Sequence, residues 1–118
     1  MSHHSSFSLE GNITICRDDE VFLGAAQVRL LKQVYTDGSI LAASKSLKMS
    51  YQHAWHIIDK VNQLSPLPVV VRQKGGRDGG GCMISPYGKR LIQLYDKKME
   101  ELREFFEKGN SDLTGCFF

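Results

Sequence analysis

Along the chain the apolar residues change their spacing, and each change predicts a different element. Phe7, Leu9, Gly11, Ile13 and Ile15 alternate with polar neighbours, the pattern of a half-buried strand or extended arm, which ends near the acidic turn "RDDE". After Gly24 the interval lengthens. Val28, Leu31, Val34 and Tyr35 fall at helical spacing, and Gly38 closes that helix as its C-terminal cap. Ser39 can cap a second, short helix with Ile40, Ala43 and Leu47 on one face. Ser50 can cap a third, because its hydroxyl can accept from a free first-turn amide. In this third helix Ala54, Trp55, Ile58, Val61 and Leu64 recur every three or four residues until "SPLP" stops it. Ala54, Trp55, Ile58 and Val61 are therefore expected to face the core. Gln52, His53, His56, Lys60 and Gln63 are left to the solvent.

The β-branched "VVVRQ" and the later "CMIS" predict two short strands joined by a glycine-rich basic loop, a β-hairpin with a long tip. Ser85-Pro86 then marks a helix start. Ile92, Tyr95, Met99, Leu102 and Phe106 step by three and four along that last helix, the a/d seam of a coiled-coil pair. It is predicted over 86–108, followed by a frayed tail at 109–118. The order is strand, three helices, strand, basic tip, strand, long helix. It predicts a mainly α fold with a small β-hairpin (α+β), a winged helix-turn-helix whose long C-terminal helix serves dimerisation. One local feature opposes it: Lys48 stands in the turn where many such units have glycine, and a left-handed lysine costs about 1 kcal/mol.

Composition narrows the class. At 118 residues, 42% hydrophobic and 24% charged, the chain fits one globular domain, 1–118. No apolar run reaches the length of a membrane span, and "MSHHSSFSLE" lacks the features of a secretion signal, so a cytoplasmic protein with no membrane partner is expected. Cys16, Cys82 and Cys116 are too scattered for a disulfide framework or a CxxC-type zinc site. Net charge is only +2, but eight basic and two acidic residues lie between 45 and 90, against seven basic and eleven acidic elsewhere. A basic middle between acidic ends is the footprint of a polyanion-binding face, although a solvated surface would look the same.

The glycine loop is no nucleotide cradle, because a strand follows it rather than a helix, and neither GxxxxGK[ST] nor GxGxxG is present. Its glycines, Gly76 and Gly79 among them, let the backbone approach a surface, while Arg72, Lys74 and Arg77 supply charge. Those residues, with Ser39 and Lys45, are the candidate wing and phosphate contacts. The candidate recognition-helix residues are Ser50, Tyr51, Gln52, His53, His56 and Lys60: the first turns of such a helix bring side chains to base edges, and Lys60, farther along, is a candidate phosphate contact. His53 and His56 have no third ligand nearby, so neither metal nor cofactor is expected. No nucleophile-base pair or carboxylate pair can be assembled from local motifs, so the chain does not read as an enzyme.

The segments "DGSI", "SYQHAW", "NQLS", "GGRDGGG" and "YGKRLIQLYD", between about Val28 and Lys97, resemble the N-terminal domain of ModE-type molybdate-responsive transcription regulators. That domain is itself similar to the LysR-type winged helix. The resemblance implies a homodimer on double-stranded DNA, with Ser50, Tyr51, Gln52 and His53 opening the recognition helix, Arg72, Lys74 and Arg77 in the wing, and paired helices forming the subunit contact. Ile92, Tyr95, Met99, Leu102 and Phe106 are the expected interface. Full regulators carry oxyanion-binding modules at their carboxy terminus. About ten residues follow the predicted last helix, so molybdate binding is not implied and any effector is expected to act through a separate protein. A dimerisation or adaptor module working through protein contacts is the competing reading.

Overall fold

The computed structural model describes residues 7–73 and 81–117. An extended arm leads into strands β1 (Ile15–Arg17) and β2 (Glu20–Leu23), followed by α1 (Ala25–Asp37), α2 (Ile40–Ser46) and α3 (Tyr51–Leu64). Strands β3 (Val70–Arg72) and β4 (Cys82–Ile84) come next, and α4 (Pro86–Phe117) completes the chain. Each strand pair is a separate antiparallel two-stranded sheet.

Local chemistry sets the helix boundaries. Gly38 ends α1 at φ 80°, a backbone state open to glycine at little cost, and its N–H donates to the Val34 carbonyl. The Ser39 hydroxyl accepts from Ala42 N and the Ser50 hydroxyl from His53 N, both at 3.0 Å. Ser85 does the same for Gly88 N at 2.9 Å while its own proton goes to the Pro68 carbonyl at 2.6 Å. Between α2 and α3, Lys48 takes the left-handed conformation at φ 56°. The helix-turn-helix therefore keeps its turn geometry without glycine.

The core lies where α1, α2 and α3 meet β2 and the β3–β4 hairpin. Leu30, Leu31, Val34, Ala43, Ala54, Ile58 and Val61 are buried there with Leu23, Val69 and Ile84. Tyr95 extends this core onto α4. At Gly88 the helix backbone comes close to the segment leading into β3: a Cβ there would stand 2.6 Å from the Val69 carbonyl oxygen.

Three expectations need correction. The chain re-enters a strand directly after the acidic turn, as Val21, Phe22 and Leu23 pair back onto β1. Trp55 is 37% exposed rather than a core residue, because Ala54, Ile58 and Val61 form the inward stripe and Trp55 stands at its edge. Finally, α4 does not fray after Lys108 but continues to Phe117, 32 residues in all. The arm holds that last section. Leu9 N donates to Asn110 Oδ1 at 2.8 Å, the Leu9 side chain lies on Gly109, and Phe7 stacks on Phe117 with ring centroids 4.5 Å apart. Tertiary contact here outweighs the poor helix propensity of Gly109 and Asn110.

Candidate nucleic-acid interface

The amino-terminal turn of α3 is uncovered. Tyr51, Gln52, His53 and His56 are exposed, and the Ser50 cap fixes the backbone that carries them. Beside this turn lies the hairpin base, with Val70 opposite Ile84, Val71 opposite Met83 and Arg72 opposite Cys82. Asn62 ties the two together: its Oδ1 accepts from Val69 N and Val70 N at 2.9 and 3.1 Å, and its Nδ2 donates to the Val70 carbonyl at 2.9 Å. Cys82 N adds a bond of 2.9 Å to the Gly38 carbonyl, which fastens β4 to the α1–α2 turn. Helix and hairpin are thus positioned as one rigid unit, with a groove of about 520 Å³ between them.

Arg72 and Lys45 are exposed, while Ser39 is half-buried and its hydroxyl is engaged in capping. Lys74, Gly76, Arg77 and Gly79 lie outside the described residues. Lys60 sits elsewhere than the amino-terminal turn: its ammonium pairs with Glu20 of β2 at 3.2 Å, and the neighbouring Arg17 guanidinium donates to the Leu64 carbonyl. The β1–β2 hairpin therefore braces the far half of α3. Pairing of Lys60 across to β2 has no signature in local spacing.

The expected dimer seam also has a different setting. Tyr95 is buried, and its hydroxyl donates to the Ile13 carbonyl at 3.0 Å. Ile13 N donates to Met99 Sδ at 3.4 Å. Ile92 packs against the core, and Leu102 and Phe106 line a groove with Leu9 and Gly11. The chain's own arm thus occupies the stripe that heptad spacing assigned to a partner. Alternating Leu9, Gly11 and Ile13 provided the signal, but nothing local showed that they face α4. Leu94 and Phe105, on another side of α4, are 46% and 66% exposed.

A capped three-helix unit with a hairpin fastened to its third helix is a winged helix-turn-helix. The solved structure of ArgP from Mycobacterium tuberculosis superposes with a TM-score of 0.51 at 22% identity, covering 70% of this chain and 29% of that one. In sequence the chain is similar to the ModE-type transcriptional regulators. It is 42% identical over 84 residues to the transcriptional regulator ModE of Haemophilus influenzae, covering 71% of this chain and 33% of that protein. Against the DNA-binding transcriptional dual regulator ModE of Escherichia coli it is 36% identical over 100 residues, covering 85% and 38%. The chain thus spans about a third of the length of these relatives. No family model matches it.

Proposed function

We propose that the chain is a homodimeric, sequence-specific double-stranded DNA-binding module of a transcriptional regulator, working in the cytoplasm. The observation that carries this reading is the bare amino-terminal end of α3, with Gln52 and His53 exposed in its first turn and His56 in its second, beside the Arg72 end of the hairpin. Gln52 can pair with adenine in bidentate fashion, and the histidines can donate to guanine acceptors. Arg72, Lys45 and the basic residues of the wing tip contact phosphate and set register. Ser39 can still donate its hydroxyl proton to phosphate while it caps α2. The names of the ModE relatives support the same assignment.

The second copy joins through α4. Leu94 and Phe105 are eleven residues apart, about three helical turns, so they share a face that the arm leaves exposed. A 32-residue helix, about 48 Å long, offers ample length for such a pairing.

Selection of bound duplexes from a random pool, with the mass measured in the same buffer, tests the proposal. A palindrome bound by a dimer is expected. If two subunits together neutralise ~6 to 10 phosphates, affinity falls on the order of a thousandfold or more between about 50 and 200 mM salt. A pool that yields no enriched sequence, with salt-insensitive binding, would instead favour the adaptor reading.

A further inference from the structure

Trp55 is the only tryptophan of the chain, and it stands on the recognition helix with 37% of its surface exposed. Tyr51, one turn earlier, is 47% exposed, and Leu41 of α2 is 49% exposed. All three line the groove between α3 and the wing strands, with Ile40, Val71 and Arg72 completing its apolar wall and its cationic edge. Large apolar side chains gathered on a surface mark a place that another molecule covers.

The polar groups of the groove restrict what that molecule is. The Asn62 carboxamide is engaged with Val69 and Val70, so it is not presented to a ligand as a base-reading group. The Asp59 carboxylate accepts from Gln63 Nε2 at 2.7 Å, and its charge repels phosphate from that end. Asp59 is also eight residues beyond Tyr51, about 12 Å along the helix, too far to pair with a base at the amino-terminal turn. What remains near Tyr51 is an apolar, aromatic shelf flanked by an arginine. Among the bases, thymine alone places a methyl group in the major groove.

We propose that this shelf is a thymine subsite, in which Trp55 and Tyr51 cover the C5-methyl edge of a base while Arg72 holds the adjoining phosphate. The inference rests on the DNA-binding reading above and adds a specificity-determining pair to it. The groove is continuous with the exposed turn of α3, so one strand of the duplex can meet both.

The test uses the full chain and a duplex obtained by selection, with each thymidine replaced in turn by deoxyuridine and binding followed by anisotropy. Removing the methyl at one position of each half-site is expected to weaken wild-type binding about fourfold per contact, the effect of one buried methyl-sized group. Trp55→Ala should bind the thymidine and deoxyuridine duplexes alike. Because that variant also loses the packing of the indole in the groove, wild-type Trp55 emission provides a second reading: it should shift to the blue on the thymidine duplex, and less on the deoxyuridine one. Salt-sensitive binding with no response to deoxyuridine at any position overturns the thymine subsite and leaves the DNA reading intact. An equal loss by Trp55→Ala on every duplex overturns it too, by placing deoxyribose against the indole. Absence of binding to any duplex removes both.

Discussion

Asn62 and Val70 form a two-way hydrogen bond across the boundary between α3 and the β3–β4 hairpin: Val70 N donates to Asn62 Oδ1, and Asn62 Nδ2 donates back to the Val70 carbonyl. The side chain imitates a neighbouring strand, so β3 is held by the helix as well as by β4. Asn62→Leu keeps the approximate volume but leaves the Val69 and Val70 amides without their acceptor. With the Val70 carbonyl also deprived of its donor, a loss of about 3 kcal/mol or more is expected from three orphaned backbone groups, measured by urea denaturation. A change below about 1 kcal/mol would show that the hairpin stands without this tie.

Lys48 carries a strain that can be removed. Its φ of 56° is a left-handed conformation. Lys48→Gly is expected to raise stability by up to about 1 kcal/mol, and Lys48→Ala to leave it nearly unchanged, because alanine meets the same steric cost. Equal melting temperatures for the glycine and alanine variants would contradict this account.

Two glycines of α4 should respond with opposite signs. At Gly88 an added Cβ would lie 2.6 Å from the Val69 carbonyl oxygen and 2.8 Å from Ile84 Cγ2, whereas at Gly115 it would meet nothing within 4 Å. Gly88→Ala should cost about 2 kcal/mol or more, and Gly115→Ala should gain up to about 1 kcal/mol through helix propensity. Circular dichroism melts of the pair provide the comparison.

Affinity and base choice should separate in binding assays. Arg72→Ala is expected to weaken binding to selected and random duplexes by the same factor and to lower the salt slope by about one per subunit. His53→Ala should change which bases a repeated selection enriches. Identical effects of the two variants on both kinds of duplex would refute this division.

Much of this architecture is legible in the sequence because its signals are local. Gly38, Ser39, Ser50 and Ser85 each mark an element boundary within a few residues of the bond they make. The stripe Ala54, Ile58 and Val61 is visible from its spacing alone. What escapes depends on residues far apart in the chain. Heptad spacing identifies an apolar stripe on α4 but not its occupant, since Tyr95 meets Ile13 across 82 positions and Asn110 meets Leu9 across 101. The same contacts carry the helix past Gly109, where propensity predicts an end. Trp55 was missed for a subtler reason: it borders the inward stripe, and periodicity cannot separate the edge of a core from the rim of a groove. The pairing of Lys60 with Glu20 likewise depends on how β2 folds back against α3.

The stack of Phe7 on Phe117 has a topological consequence. It brings the first and last described residues side by side, so the backbone comes close to forming a circle. A short peptide joining Phe7 to Phe117 would link the arm to the end of α4 with little distortion, and fresh termini could then be opened at an exposed bend such as Pro66-Leu67. In such a permuted molecule the arm would be tethered to its helix by covalent bonds, and the order of the elements along the polypeptide would no longer decide which surfaces meet.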